Sequence, residues 1–100
     1  MVVIKYQISE DFFKSQAFVG EMVAPEGATL LEAFQRYEQQ YPEVLHIKVT
    51  ENSFGTYISE VNDVKNRRRL AWRVVGGKEE DISKIRVRHG ETYRISYRRV

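Results

Sequence analysis

A single stretch of this chain has the periodicity of a helix, and it is flanked on both sides by segments with the periodicity of strands. Thr29-Leu30-Leu31-Glu32 reads as a capping box. The Thr29 hydroxyl can accept from the backbone N–H of Glu32, and the Glu32 carboxylate can reach back to the N–H of Thr29. Leu30, Leu31, Phe34, Tyr37 and Tyr41 follow at helical spacing, with Arg36, Glu38, Gln39 and Gln40 on the other face. The pattern predicts one amphipathic helix of about three turns. Pro25-Glu26-Gly27-Ala28 breaks the chain before it and Pro42 ends it.

The flanks alternate. Val2, Ile4, Tyr6 and Ile8 take one side of a first strand, and Val3, Lys5 and Gln7 the other. Ser9 to Gln16 suits a hairpin connection, and residues 17–24 a second, antiparallel strand. Residues 44–50, a short piece with Tyr57, Ile58 and Val61, residues 70–75 centred on Trp72, and residues 92–99 supply further strands. Asn52-Ser53-Phe54-Gly55, Asn62-Asp63, Asn66, Gly76-Gly77 and His89-Gly90-Glu91 are turns. Ile82, Ile85 and Val87 tuck a connecting segment onto the core. One helix lying on one face of a mixed sheet is the economical packing. The expectation is an α+β, β-grasp-like single domain over residues 1–100.

Composition excludes several chemistries. There is no cysteine, so disulfides and thiolate metal sites are ruled out. His46 and His89 cannot by themselves make a usual structural-zinc set. Both read as surface histidines. No nucleophile, base and orienter can be named together, so no catalytic residue and no enzyme is expected. The N-terminus has no signal-peptide pattern and no apolar run is long enough to span a membrane. A cytoplasmic protein, or a domain of a longer chain, is the expectation.

Charge is divided along the chain. Residues 1–60 carry 4 Lys/Arg against 9 Asp/Glu, a net of −5; residues 61–100 carry 12 against 5, a net of +7. Arg67-Arg68-Arg69, Arg73, Arg86, Arg88, Arg94, Arg98 and Arg99 make the basic part. Arginine binds phosphate and carboxylate bidentately and stacks on flat rings. Alternation puts Arg94 and Arg98 on one face of the last strand, and Arg73 on that face would complete an anion-binding stripe. The same arginines could instead pair with carboxylates across strands. Glu79-Glu80-Asp81 reads as a solvated acidic loop. Gly76-Gly77 is not a carrier tail, because 23 residues follow it.

Four pieces of the chain resemble the transcobalamin C-terminal-like β-grasp domains. Phe54-Gly55-Thr56-Tyr57-Ile58-Ser59-Glu60-Val61-Asn62-Asp63 resembles their glycine, aromatic, Ile, x-x-Ile/Val-Asn-Gly stretch. Leu70-Ala71-Trp72-Arg73-Val74-Val75-Gly76-Gly77-Lys78 resembles their Trp, x, x, Val-Asn-Gly-Lys hairpin. His89-Gly90-Glu91 before Tyr93–Tyr97 is similar to their Asp-Gly-Asp turn, and residues 25–34 to the entry into their helix. Gly76, Asp63, His89 and Glu91 depart from that pattern. The resemblance implies a β-grasp fold and contact with a cobalamin or another ligand from loops at one end of the sheet. It places ligand contacts around Tyr57, Asn62, Trp72, Gly76 and Gly77.

Three functions remain open on these residues. One is a non-catalytic domain that holds a small molecule, with cobalamin as the cofactor that the resemblance suggests, or a protein partner. Another is a nucleic-acid or polyanion binder using Arg73, Arg94 and Arg98. The third is an assembly element whose acidic and basic parts associate between copies. Trp72 and the tyrosines serve as stacking surface in the first two readings and as core in a purely structural one.

Overall fold

The computed structural model describes residues 1–9 and 18–99. The expected connection at residues 10–16 lies outside the described residues. Val2–Ser9 forms β1 and Phe18–Ala24 forms β2, paired antiparallel with Ile4 opposite Met22. Leu30–Gln40 is α1. Ile47–Asn52, Gly55–Val61 and Val64–Lys65 are β3, β4 and β5; Leu70–Val75 and Thr92–Arg99 are β6 and β7. A four-stranded sheet has the order β2-β1-β7-β6, with β1 and β7 parallel and the other pairs antiparallel. It is the mixed sheet of an α+β, β-grasp-like fold. A second sheet, β3-β4-β5, sits beside it.

Period-two alternation decides which side of the larger sheet is covered. Ile4, Tyr6, Ile8, Met22, Ala24, Trp72, Ile95 and Tyr97 are buried with Leu30, Ala33 and Phe34 of α1. Fully burying such a large apolar side chain stabilises by roughly 1.5–3 kcal/mol. Lys5, Glu21, Arg73, Arg94 and Arg98 lie on the other, exposed side.

Both bonds of the capping box are present: Glu32 N–H donates to Thr29 Oγ1 at 3.2 Å, and Thr29 N–H donates to Glu32 Oε1 at 3.1 Å. The next two free N–H groups of the helix are used by the chain. Leu30 and Leu31 N–H donate to the carbonyls of Ile85 and Ile82 at 2.7 and 3.0 Å. The segment after β6 therefore closes the helix N-terminus, which is why Ile82 and Val87 are buried.

The strand expected at 44–50 is displaced to Ile47–Asn52. Val44 and Leu45 N–H both donate back to Tyr41 O, so these residues complete a turn after the helix. Apolar alternation could not separate that turn from a strand. Among the described residues, no helix is long and apolar enough to cross a membrane.

Candidate functional site

Where β6 ends, Gly76 takes a φ of +96°, which a side chain would resist, and the chain leaves the sheet. It returns at β7 only after residue 91. The excursion leaves a hollow of about 500 Å3 between the strand ends and the loop. Val74, Ile85 and Tyr93 make its apolar wall, and Gly76 and Gly77 expose bare backbone along one side. Lys78, Arg94, Glu79 and Glu91 provide its charges. The Tyr93 hydroxyl holds the far wall in place. It accepts from Arg88 N–H at 2.9 Å and donates to Arg86 O at 3.4 Å. Arg94 stands opposite Val75 across the β6–β7 pair, exposed, with no ion pair among the described residues.

The acidic trio is solvated only in part: Glu79 is exposed and Glu80 half-exposed, but Asp81 is buried. Glu79 Oε1 accepts from Asp81 N–H at 3.0 Å. Glu80 grips Arg73 through both carboxylate oxygens, with Arg73 Nη2 at 2.6 and 2.8 Å and Nε at 2.9 Å. Asp81 is buried, and Oδ1 accepts from the Ser83 hydroxyl at 2.5 Å and Ser83 N–H at 2.9 Å. The Ser83 hydroxyl above all, together with the Ser83 and Thr56 backbone and Lys84, holds the Asp81 carboxyl below the usual aspartate range against the opposing effect of burial. Gly55 makes room for it: at φ +136°, a Cβ there would collide with the Asp81 carboxylate. Glu80 thus ties the loop to β6, while the packing of Asp81 on Gly55 and the bond from Ile82 N–H to Thr56 O at 3.1 Å tie it to β4.

The structure scatters the five residues that the resemblance implied. Gly76 and Gly77 line the hollow. Tyr57 does not; it lies in β4 and its hydroxyl donates to Phe54 O at 2.7 Å. Asn62 occupies the β4–β5 turn at a φ of +45°. Its Oδ1 accepts from His46 N–H at 2.7 Å and its amide donates to Val44 O at 3.4 Å, which makes it a brace for the turn after the helix. Trp72 corrects the stacking expectation. The residue is only 5% exposed, on the covered side of the sheet, with its ring centroid 4.9 Å from that of Tyr97.

The basic stripe is also altered. Cross-strand register sets Arg73 opposite Ser96, Val75 opposite Arg94 and Ala71 opposite Arg98, so all three arginines share the exposed face. Glu80 neutralises the middle one, however, and the stripe is interrupted at Arg73. Of the histidines, His46 Nδ1 lies 2.9 Å from Glu38 Oε1, and His89 Nδ1 accepts from Val3 N–H at 3.0 Å. Among the described residues, no group of three or more His, Asp or Glu could hold a metal ion. Nothing in the sequence around Ile85, Tyr93 and Lys78 marks them as site residues, apart from the position of the lysine directly after Gly76-Gly77.

No known protein family and no curated protein matches the chain by sequence. Solved structures do match. A crystal structure of haptocorrin in complex with Cbi superposes with a TM-score of 0.82 at 16% identity, over 98% of this chain and 25% of haptocorrin. The chain thus spans about a quarter of haptocorrin's length. A candidate metal-binding protein from Ruminococcus gnavus superposes with a TM-score of 0.77 at 11% identity, over 100% of this chain and 99% of the other. At these identities the likeness establishes a shared fold.

Proposed function

We propose that this domain is a non-catalytic binding module that holds a small molecule in the hollow at the end of β6. The observation that carries the reading is the hollow itself, where Gly76 and Gly77 lie beside Arg94, which has no ion pair among the described residues, in a space of about 500 Å3. That volume is within the range of small-molecule sites, which combine apolar walls with a few convergent polar groups. Val74, Ile85 and Tyr93 suit an apolar body, while Lys78, Arg94 and the bare glycine backbone suit an anionic or carbonyl-rich edge. Haptocorrin is complexed with Cbi, which makes a corrinoid the first probe. A corrinoid is larger than this hollow, so the domain would cover one edge of it and bind it weakly by itself.

The test is equilibrium dialysis of the protein against cobinamide, with Gly77→Phe beside it. A Cβ at Gly77 would meet nothing within 4 Å, so a ring can be placed at this lining position without a clash at its Cβ, and it would crowd a ligand held there. Saturable binding that is lost in Gly77→Phe supports the reading. Binding that survives the substitution places the ligand elsewhere. No saturable binding to cobinamide removes the corrinoid form of the proposal.

A further inference from the structure

A second hollow, of about 530 Å3, lies at the opposite end of β6, and the function proposed above does not use it. Val64, Leu70 and Tyr97 line it, with Lys65, Arg67 and Asp63 around them. The turn between β5 and β6 builds its rim. Arg67 N–H donates to Leu70 O at 2.7 Å and Leu70 N–H returns to Arg67 O at 3.3 Å, which leaves Arg68 and Arg69 at the tip. Arg99 of β7 stands opposite Leu70. Lys65, Arg67, Arg68, Arg69 and Arg99 are all exposed at this one end of the molecule.

Three cations elsewhere in the chain are paired with carboxylates. Lys48, Arg73 and Lys84 each face a carboxylate within 4.0 Å. None of the five at this end has a side-chain ion pair or hydrogen bond among the described residues, and Asp63 is the one carboxylate lining the hollow. Five like charges at one end, against the single carboxylate of Asp63, favour an anion with more than one negative charge.

The neutral side-chain polar groups lining the hollow, those of Asn66 and Tyr97, are already satisfied. The Tyr97 hydroxyl donates to Lys65 O at 2.7 Å, Asn66 Nδ2 donates to Ile58 O at 3.0 Å, and Asn66 Oδ1 accepts from Trp72 N–H at 2.9 Å. The carbonyls of Val64 and Lys65 both have donors, which leaves β5 poorly suited to pairing with an incoming strand. Recognition here falls to the cationic rim and the apolar floor. We propose that this hollow is a binding site for a small organic phosphate, with Lys65 and Arg67 on the phosphates and the organic part against Val64 and Leu70. Arginine's planar fork matches phosphate bidentately, and lysine adds a point charge. A nucleic-acid chain fits less well. The aromatic ring here, Tyr97, is 2% exposed, so the hollow presents no platform for stacking bases.

The experiment is calorimetric titration with inorganic pyrophosphate, adenosine diphosphate and a single-stranded oligonucleotide, on the wild type, Lys65→Gln/Arg67→Gln and Arg36→Gln. Arg36 is an exposed helix arginine away from this end and serves as the charge control. Saturable binding of adenosine diphosphate, tighter than that of pyrophosphate, is expected. The double variant should weaken it by roughly tenfold or more, as for the loss of charge-assisted bonds, and Arg36→Gln should leave it unchanged. Gly77→Phe should leave it intact as well, which separates this site from the hollow at the other end of β6. Absence of saturation, an equal loss in Arg36→Gln, or no loss in the double variant would overturn the assignment. Equal affinity for pyrophosphate and adenosine diphosphate would overturn its organic part. Binding confined to the oligonucleotide would overturn it too, and would make this end a nucleic-acid surface.

Discussion

The indole Nε1–H of Trp72 donates to the backbone carbonyl of Val64 at 2.7 Å. That bond crosses from the four-stranded sheet to the three-stranded one. Tyr97, in contact with the same indole, makes the parallel link from its hydroxyl to Lys65 O at 2.7 Å. The two rings therefore serve as core on one side and as the missing hydrogen-bond partners of a two-residue strand on the other.

Trp72→Phe should cost about 1–3 kcal/mol through the unsatisfied Val64 carbonyl, plus the loss from a smaller ring. Tyr97→Phe should cost about 1 kcal/mol. Urea unfolding measures both. Because the rings touch, the double variant should depart from the sum of the singles. Strict additivity would show that the two links act independently.

Gly20 lies beneath the Tyr6 ring. A Cβ at Gly20 would come within 2.5 Å of the Tyr6 hydroxyl oxygen and 2.6 Å of Cζ. Tyr6 cannot give way easily. It is 1% exposed, packed edge-on to Phe34 and Tyr37, and bonded to the Tyr37 hydroxyl at 3.0 Å. Gly20→Ala should destabilise by about 1–3 kcal/mol, as overpacking does. Gly77→Ala, which meets nothing, should change the melting temperature little. Equal melting temperatures for the two variants would contradict this packing.

The carboxyls of Asp81 and Glu32 are both held below their ordinary values, Asp81 by the Ser83 hydroxyl foremost and Glu32 by Thr29. A carboxyl depressed in the folded state binds fewer protons there than in the unfolded chain. Its contribution is complete above the ordinary value and is lost as pH falls through that value to the lowered one. Stability should therefore decline below the ordinary values of 4.5 for Glu32 and 3.8 for Asp81. Ser83→Ala should raise the Asp81 titration midpoint, read by carboxyl NMR, and move the acid limb of the stability curve to higher pH. An unchanged Asp81 midpoint in Ser83→Ala would remove the hydroxyl as the cause.

Much of the architecture is local and so could be read from spacing. Thr29 and Glu32 are three residues apart, and the strand alternation places Ile4, Tyr6, Ile95 and Tyr97 on the covered face without reference to anything distant. The site depends on separations that no spacing displays. Asp81 reads as a solvated acid until Gly55, 26 positions earlier, is found to leave room for it. Asn62 matches a family motif, yet its side chain is committed to His46 and Val44. Trp72 has the composition of a stacking residue, but the face it occupies depends on β6 pairing with β7. Burial of an aromatic ring is decided by sheet register, which the sequence around it does not contain.

Glu80 decides whether Arg73 adds its charge to that of Arg94 on the exposed face. The Arg73–Glu80 pair is bidentate but roughly two-fifths exposed on each side, at 43% and 38%. A pair so open to water contributes about 0.2–1 kcal/mol, so Glu80→Gln should leave stability nearly unchanged. It should, however, release the Arg73 guanidinium into the exposed face between Arg94 and Arg98. Oligonucleotide binding by Glu80→Gln should then be stronger than by the wild type and fall more steeply with added salt, because one more phosphate is neutralised. Fluorescence anisotropy across a salt series reads both quantities. If affinity and salt slope match the wild type while the fold is intact, Arg73 does not act with Arg94 on this face.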